Sequence, residues 1–289
     1  MGEEILRMEK IDKSFPGVHA LDHVDFDLKR GEVHALMGEN GAGKSTLMKV
    51  LTGIYQKDSG KITYQGREVN YHSTREAQAD GIVIVHQELN MVGDLTVAQN
   101  IFIGREFMHG PTIDDKKMIT ESRKLFERLK IDIDPSARMK DLTVGKQQMC
   151  EIAKAISHEC KVIVFDEPSA ALTEKEIDDL FAIIRDLRKQ DLGIIYISHR
   201  MDEIKVITDR VTVMRDGTYV GTLITKDCSK EDIIKMMVGR VIYEQPKEKS
   251  LVPDDAPVVL KVENLNAGRM VQDVSFELHK GEILGFSGL

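Results

Sequence analysis

The sequence has few cysteines and lacks any long apolar run. Its three cysteines, Cys150, Cys160 and Cys228, are odd in number and widely spaced, and none forms a CxxC pair. This usage argues against a disulfide framework and fits reduced thiols in a cytosolic protein. The longest apolar runs, such as Val162–Phe165 and Ile194–Ile197, fall far short of the ~20 residues that a transmembrane helix needs. We therefore expect a chain that does not span the membrane.

The sequence also lacks the positive charge that a secretory signal or a broad nucleic-acid contact would require. The amino terminus, MGEEILRMEK, has acidic residues where a secretory signal carries positive charge and then an apolar stretch. Lys and Arg number 40 against 48 Asp and Glu, which gives a formal charge of -8. Nucleic-acid binders usually concentrate Lys and Arg, so this balance argues against a broad contact with a phosphate backbone. A local basic patch stays compatible with the sequence.

What is present is an alternation of strand-like and helix-like segments. At 289 residues the chain is long enough for about two structural units. Strand-like runs rich in Val, Ile and Phe alternate with helix-like stretches, which predicts an α/β fold with a largely parallel sheet. These runs are VHALM at 33–37, GIVIVHQ at 81–87, VIVFDE at 162–167, GIIYIS at 193–198 and RVTVM at 210–214.

Two helical features stand out within this pattern. After Leu172, Thr173 and Glu176 have the spacing of a capping box, and apolar residues then recur every three or four positions on one face. That stripe is expected to pack on the sheet. Between about 88 and 158 the strand signals fade and helix-compatible segments such as KKMITESRKLFERLK dominate, so we predict a mainly helical insertion into the α/β core.

The carboxyl-terminal part of the sequence contains an internal repeat. Residues 241–257 are rich in Pro, Lys, Glu and Asp and are predicted to form a linker. Beyond them, LKVENL at 260–265 parallels LRMEKI at 6–11, and VSFELHKGE at 274–282 parallels VDFDLKRGE at 24–32. In this alignment Gly288 falls on Gly38, so we expect residues 258–289 to be the truncated start of a second domain like the one in 1–240.

A glycine-rich segment has the pattern of a phosphate-binding loop. Residues 38–45, GENGAGKS, fit GxxxxGK[ST], follow the strand-like VHALM and lead into a helix-like stretch. Glycines let the backbone wrap closely around phosphate oxygens, and the N–H groups and helix dipole favour an anion. The alternative is a glycine turn before a helix that matches by chance. The residues predicted to bind nucleotide here are Gly38, Glu39, Asn40, Gly41, Ala42, Gly43, Lys44, Ser45 and Thr46.

Two adjacent carboxylates end the apolar strand VIVFDE. Because successive side chains of a strand point in opposite directions, Asp166 and Glu167 can take different roles. We expect Asp166 and the Ser45 hydroxyl to hold Mg²⁺, and Glu167 to orient the attacking water while Lys44 neutralises the β and γ phosphates. The alternative is a strand end capped by solvated acids.

Three single residues complete the predicted site. Gln87 and His199 follow strand-like runs, where ligands bind in open α/β sheets. Gln87 can coordinate the metal and sense the γ-phosphate, and His199 can hydrogen-bond that phosphate from the far side, although either alone is also an ordinary loop residue. Phe15 can stack on adenine, although an isolated aromatic residue more often belongs to the core.

A segment before the Asp166 strand resembles the LSGGQ signature of ATP-binding cassette (ABC) proteins. In residues 142–147, LTVGKQ, Leu142 and Gly145 match the signature and Thr143 keeps its hydroxyl. Val144 replaces the first glycine and Lys146 replaces the glutamine. The resemblance implies that Thr143 and Gly145 contact nucleotide; the segment alone also fits a hydroxyl-capped helix start.

The whole chain resembles the tandem ATPase subunits of bacterial monosaccharide importers of the ribose, galactose, xylose and arabinose group. The resemblance implies a P-loop NTPase core of the ABC type with an antiparallel β edge and a helical subdomain between Gln87 and the signature. It also implies MgATP hydrolysis that energises sugar import, with ribose as the suggested sugar. The segments that carry it are SFPGVHAL at 14–21, GENGAGKSTLMKVLTG at 38–53, HQELN at 86–90, LTVAQNIFIGRE at 95–106, VGKQQMCEIAKA at 144–155 and ISHRMDEI at 197–204.

Partners and location follow from the same resemblance. The second cassette of the chain would supply the signature that faces Lys44, and permease subunits would dock near residues 89–101. A periplasmic or extracellular sugar-binding protein would act indirectly, and the chain would lie on the cytoplasmic face of the membrane as a peripheral subunit. In this group the second phosphate loop is usually weakened. With an altered signature at Val144, this implies one competent site per full chain. Thr173 stands where most cassettes have an aspartate that communicates across the interface, which argues against that communication here.

Two other functions fit a tandem cassette. Cassettes without membrane partners act on ribosomes or DNA, but ribosome-acting ones are expected to carry a long helical arm between their halves. Residues 241–257 are instead short and interrupted by Pro246, Pro253 and Pro257, so we expect no nucleic-acid partner. A purely regulatory, nucleotide-sensing module is the third possibility, and the presence of Glu167 and His199 argues against it.

Overall fold

A computed structural model describes residues 2–86, 89–239, 252–253, 255–268 and 271–287. The chain forms two compact units, Met1–Val241 and Ile242–Leu289. Among the described residues, every helix is too short or too polar to serve as a bilayer-crossing segment.

The first unit alternates strands and helices along its length. Its strands are β1 (Glu4–Phe15), β2 (Val18–Lys29), β3 (Val33–Met37), β4 (Ser59–Tyr64), β5 (Arg67–Val69), β6 (Ile82–Val85), β7 (Met108–His109), β8 (Thr112–Ile113), β9 (Val162–Asp166), β10 (Gly193–Ile197), β11 (Arg210–Arg215) and β12 (Thr218–Ile224). Its helices are α1 (Lys44–Leu51), α2 (Thr74–Ala79), α3 (Val97–Phe102), α4 (Asp115–Leu129), α5 (Val144–Ile156), α6 (Glu174–Lys189), α7 (Met201–Ile207) and α8 (Lys230–Val238).

Ten of these strands form one mixed sheet in the order β5-β4-β1-β2-β12-β11-β3-β10-β9-β6. The run β11-β3-β10-β9-β6 is parallel, whereas β1, β2, β4 and β5 pair antiparallel at the other edge. The sequence-based prediction of an α/β fold with a largely parallel sheet and an antiparallel edge is therefore confirmed. Parallel strands place their carboxyl ends at one edge, and the loops that follow β3, β9 and β10 meet there.

Helices dominate the segment between β6 and β9. It contains α3, α4 and α5, which contact one another, and a short hairpin of β7 and β8. The helix α3 begins with a capping box in which the Thr96 hydroxyl accepts from Gln99 N–H and the Gln99 side chain accepts from Thr96 N–H. Such reciprocal bonds satisfy two backbone donors at a helix start.

The sheet separates two apolar clusters, as the period-two alternation of its strands requires. In β9, Ile163 and Phe165 lie in the cluster that also contains the apolar faces of α5 and α6. Val162 and Val164 lie in the other cluster, with Leu47 of α1. The predicted stripe of α6 packs in the first cluster through Leu180, Phe181, Ile184 and Leu187, and Ile177 packs against it. Both faces of the central sheet are thus covered, and its buried strands are apolar on both sides.

The second unit contains a two-stranded hairpin of β13 (Val258–Ala267) and β14 (Val271–His279). Its pairing repeats that of β1 and β2: Leu260 pairs with Leu278 and Val262 with Phe276, as Leu6 pairs with Leu28 and Met8 with Phe26. The positions with positive φ repeat as well. Lys10 and His23 (φ 48° and 49°) correspond to Asn264 and Asp273 (φ 50° and 52°). The sequence repeat is therefore also a repeat of backbone geometry.

Candidate nucleotide site

The loop between β3 and α1 is shaped by its glycines. Gly41 and Gly43 have φ of 86° and 96°, in the left-handed region that glycine adopts without a steric penalty. At Gly43 a β-carbon would also lie 2.7 Å from the Ala20 carbonyl oxygen. Gly43 is the residue before the first turn of α1, so the loop delivers the backbone N–H groups of that turn to one place. Such a terminus favours an anion.

Lys44 lies inside this loop. Its Nζ donates to the carbonyl oxygens of Gly38, at 2.8 Å, and Glu39, at 3.0 Å. Burial lowers the pKa of Lys44, while the nearby carboxylates of Glu167 and Asp166 oppose that shift. An ammonium group held by loop carbonyls and faced by two acids is positioned to meet the charge of a phosphate.

Asp166 ends β9 as a buried carboxylate beside the loop. Burial raises its pKa, and a hydrogen bond with the Ser45 side chain opposes that shift. The carboxylate and the hydroxyl are both oxygen ligands of the kind that Mg²⁺ prefers. These two side chains therefore fit a magnesium ion by their chemistry, and β9 and α1 bring them together.

Glu167 and His199 face each other at the ends of neighbouring strands. Glu167 Oε1 lies 3.3 Å from His199 Nδ1, with the Glu167 side chain 14% exposed and the His199 side chain 65% exposed. Glu167 has a φ of 49°, and its N–H donates to the Ile197 carbonyl at 3.0 Å. Left-handed non-glycine positions of this kind are enriched at functional sites.

A buried carboxylate supports the segment that carries His199. Glu203 Oε2 accepts hydrogen bonds from Tyr196 and Ser198, at 2.8 and 2.9 Å, and Arg200 donates to Glu203 Oε1 at 3.0 Å. These bonds fix the backbone on both sides of His199. No pattern in the sequence alone identifies Glu203 as part of the site.

An open cavity of about 1110 Å³ joins these groups. Eleven residues predicted from the sequence line it, and they come from four separate segments. They are Phe15, Gly38, Glu39, Asn40, Gly41, Gly43, Lys44, Ser45, Thr46, Glu167 and His199. Phe15 meets Tyr55 edge to face, with ring centroids 5.0 Å apart, and is half-buried at the wall of the cavity.

Other predicted site residues lie elsewhere. Ala42 is buried and Asp166 lies against Ser45, and neither lines the cavity. Thr143 and Gly145 start α5 away from the cavity lining, and the Thr143 hydroxyl accepts from Lys146 N–H at 3.4 Å. This cap matches the alternative of a hydroxyl-capped helix start, which is compatible with a signature role. Gln87 lies outside the described residues.

Six lining residues were missed by the sequence analysis: Val18, His19, Ala20, Asp216, Gly217 and Met237. Asp216-Gly217 forms the turn between β11 and β12, and an Asp-Gly pair between strand-like runs is a recognisable hairpin signal. That signal predicts the turn, but it does not predict that the turn lines the cavity. The turn reaches the cavity only because β12 pairs with β2.

Comparison with known proteins agrees with this geometry. Residues 21–170 match the ABC transporter family. The chain is 53% identical over 291 residues to the putative ribose/galactose/methyl galactoside import ATP-binding protein 2 of Burkholderia cenocepacia (strain HI2424), which covers 99% of the chain and 56% of that protein. It is 50% identical over 290 residues to the galactose/methyl galactoside import ATP-binding protein MglA of Escherichia coli (strain K12). That match covers 100% of the chain and 57% of MglA. The chain thus spans about half the length of the curated relatives it matches.

Solved structures show the same fold. A nucleotide-free ATP-binding cassette from an ABC transporter superposes with a TM-score of 0.69 at 27% identity, covering 82% of this chain and 96% of that one. The ADP conformation of MJ1267, an ATP-binding cassette of an ABC transporter, superposes with a TM-score of 0.70 at 26% identity. The match covers 82% of this chain and 100% of that one. Because the family match extends over residues 21–170 and includes the phosphate loop and both strand-end carboxylates, the chain belongs to the ABC transporter family.

Proposed function

We propose that this chain binds and hydrolyses MgATP and thereby energises the import of a monosaccharide through a membrane permease. The observation that supports this most is the joint placement of Lys44, Asp166 and Glu167 around one glycine loop. Lys44 Nζ lies among loop carbonyls, and both carboxylates are close enough to oppose the lowering of its pKa. Phosphoryl transfer needs chiefly such positioning and charge neutralisation.

Each side chain of the site has a different role in binding and hydrolysis of MgATP. Lys44 exchanges its loop carbonyl partners for phosphate oxygens, while the N–H groups at the start of α1 hold the same oxygens. Ser45 and Asp166 hold the magnesium ion, which when bound neutralises charge on the phosphates. Glu167 orients water toward the γ-phosphate as general base, and His199, 3.3 Å from Glu167, moves to hydrogen-bond that phosphate. Phe15, on the cavity wall, stacks on adenine.

The first test concerns Lys44. Isothermal calorimetry on the purified chain should detect MgATP binding, and Lys44→Ala should weaken it by about 10- to 100-fold, the worth of a charge-assisted hydrogen bond. Lys61→Ala is the matched control because Lys61 is an exposed lysine on β4, outside the cavity lining. Equal MgATP affinity in the wild-type, Lys44→Ala and Lys61→Ala proteins would exclude the site.

The sugar and the partners are proposed from the relatives. Their names specify ribose, galactose and methyl galactoside import, and we propose that this chain serves a permease for a sugar of that class, with ribose as one candidate. The chain would then act as a peripheral subunit at the cytoplasmic face, together with permease subunits and a sugar-binding protein. Uptake of labelled ribose and galactose by cells that lack the gene decides the sugar. Unchanged uptake of both would contradict the importer role.

We also propose that residues 258–289 begin a second cassette. The repeated pairing, bulges and positive φ positions of the β13-β14 hairpin support this proposal. In such a tandem, the signature residues Thr143 and Gly145 contact nucleotide held by the second cassette, in keeping with their place outside the cavity of the first. Because Gly288 aligns with Gly38, the coding sequence downstream of residue 289 should then continue with the rest of a glycine loop and a helix resembling residues 40–51. Unrelated sequence there would contradict the proposal.

A further inference from the structure

Four potential metal ligands meet in the β1-β2 hairpin, at the rim of the nucleotide cavity. Asp12 lies near the end of β1, and His19, Asp22 and His23 lie in the first half of β2. One ligand atom from each of Asp12, His19 and Asp22 lies within 4.8 Å of the others. Of the four, His19 also lines the nucleotide cavity.

The individual distances are close to those of a coordination shell. His19 Nε2 lies 3.0 Å from Asp12 Oδ2, His23 Nδ1 lies 3.7 Å from the same oxygen, and His23 Nδ1 lies 2.7 Å from Asp22 Oδ1. Zinc binds imidazole nitrogen and carboxylate oxygen at about 2.0–2.2 Å, which puts the ligands of a tetrahedron about 3.4 Å apart. These three of the six ligand separations scatter around that value. His23 lies outside the group of Asp12, His19 and Asp22, whose ligand atoms all lie within 4.8 Å of one another, so its exposed side chain must rotate to complete the shell.

The backbone explains why two consecutive residues reach one place. In a regular strand Asp22 and His23 would point to opposite faces. His23 instead has a φ of 49°, and the β1-β2 pairing is irregular between Ile11 and Ser14, opposite this stretch. Irregularities of this kind re-aim a side chain, and here they bring the imidazole of His23 to the carboxylate of Asp22.

From this arrangement we infer that Asp12, His19, Asp22 and His23 form a binding site for a transition-metal dication such as Zn²⁺, separate from the magnesium site at Ser45 and Asp166. Two imidazoles with two carboxylates suit zinc and its neighbours better than Mg²⁺, which prefers an all-oxygen shell. The four side chains are accessible, at 18% exposure for Asp12 and 48–65% for the other three. The ion would join β1 to β2 near the turn that follows Phe15.

The simpler interpretation is that these are His–Asp hydrogen-bonded pairs on a solvated surface. The hydrogen bond with Asp12 does raise the pKa of His19, and the bond with His23 lowers the pKa of Asp22. The two interpretations differ in one measurable respect. Surface pairs bind no metal with defined stoichiometry, whereas a built site binds one ion and binds it more weakly when either imidazole is removed.

The test is a titration of the chelator-treated chain with Zn²⁺, without nucleotide because ATP itself binds divalent cations. Calorimetry should give one Zn²⁺ per chain, and Co²⁺ should give the visible absorption of a tetrahedral site. His19→Ala and His23→Ala should each weaken binding by about 10-fold or more. His109→Ala removes an exposed histidine from the distant β7-β8 hairpin and should leave the affinity unchanged.

Folding is checked separately. The variants should match the wild-type melting temperature in chelator, since both imidazoles are largely exposed. In the wild-type protein, ¹⁵N resonances of the histidine rings provide a second readout, with two rings shifting on Zn²⁺ addition and Mg²⁺ shifting neither. Binding that survives loss of both imidazoles, or no stoichiometric binding at all, would overturn the assignment.

Discussion

At the scale of single residues, the different surroundings of two neighbouring carboxylates are the most specific feature of the site. Asp166 is buried against Ser45, while Glu167 is turned by its positive φ toward His199. The sequence predicted both acids at this strand end, but its argument from strand alternation does not apply to Glu167, because that residue lies beyond β9 and has a left-handed φ. It could not predict the 3.3 Å approach of His199, since that distance depends on the parallel pairing of β9 with β10.

Replacing Glu167 should separate binding from hydrolysis. Glu167→Gln keeps the size of the side chain but removes the basic oxygen, so ATP turnover should fall by about 10²- to 10⁴-fold, the usual worth of a general base. MgATP affinity should stay within a few-fold of wild type. Turnover is measured with the protein assembled on its permease, and binding by calorimetry. Glu174→Gln, an exposed glutamate at the start of α6, is the control; hydrolysis retained in Glu167→Gln would contradict the assignment.

Two loop glycines allow backbone strain to be separated from steric conflict. Gly41 and Gly43 share a left-handed φ, but a β-carbon at Gly41 would meet nothing within 4 Å, whereas one at Gly43 would lie 2.7 Å from the Ala20 carbonyl. Gly41→Ala should therefore lower the free energy of unfolding by about 1–2 kcal/mol through the left-handed conformation alone. Gly43→Ala should lower it further. Urea unfolding without nucleotide measures both, and equal losses would show that the contact at Gly43 is relieved at no cost.

At the scale of elements, α5 and α6 meet at their amino termini. Glu176 completes the capping box of α6 by accepting from Thr173, and its carboxylate also lies beside Gly145, where a β-carbon would come within 2.6 Å of both oxygens. The capping box was readable from the sequence because its partners are three residues apart. The contact between Glu176 and Gly145 was not readable from the sequence. It joins residues 31 positions apart, and it forms only after α5 and α6 have packed together.

This contact predicts that Gly145→Ala and Thr173→Ala are coupled. Thr173→Ala alone should lower the free energy of unfolding by about 1 kcal/mol, as the loss of an N-cap usually does. Gly145→Ala displaces the Glu176 carboxylate and so removes part of the same cap. The double variant should then lose less than the sum of the single losses, by roughly 0.5 kcal/mol or more.

A second double-mutant cycle provides the control for this coupling. Gly145→Ala is combined with Ser229→Ala, which removes the capping hydroxyl of α8, a helix that does not share Glu176. Those two losses should add within about 0.3–0.5 kcal/mol, because the sites are independent. Additivity in the Thr173 cycle as well would mean that Glu176 keeps its cap when a β-carbon is present at position 145.

At the scale of the whole molecule, the parallel part of the sheet contains a buried histidine that is bonded to two other strands. His34 of β3 is bonded by Nδ1 to the Asp27 carbonyl at 2.7 Å and by Nε2 to the Thr212 hydroxyl at 2.8 Å. Burial, with the charge of Arg210, lowers its pKa to about 4. Asp27 lies only seven positions before His34, but Thr212 lies 178 positions after it, so the bond to Thr212 was not visible in VHALM as a sequence.

This histidine should make stability depend on pH. In the unfolded chain a histidine has a pKa near 6.5, so between about pH 6.5 and 4 the unfolded state binds more protons than the folded one. The free energy of unfolding therefore falls as the pH falls through that window, and above pH 6.5 the contribution is constant. For a group with these two pKa values the loss between pH 7.5 and pH 5 is about 2 kcal/mol.

Other groups also change the free energy of unfolding in this pH window. The prediction is therefore tested by comparing a His34 variant with the wild-type protein. The pKa of Glu151 is raised to about 7 by burial, which gives a slope of opposite sign, and that of His158 is lowered to about 4, which adds to the slope of His34. His34→Gln should thus be less stable at pH 7.5 but lose about 2 kcal/mol less than wild type on going to pH 5. Urea unfolding at both pH values gives this difference, and Glu151→Gln should change the slope the other way. If the wild-type and His34→Gln proteins lost the same free energy of unfolding between pH 7.5 and pH 5, His34 would have the same pKa in the folded and unfolded states.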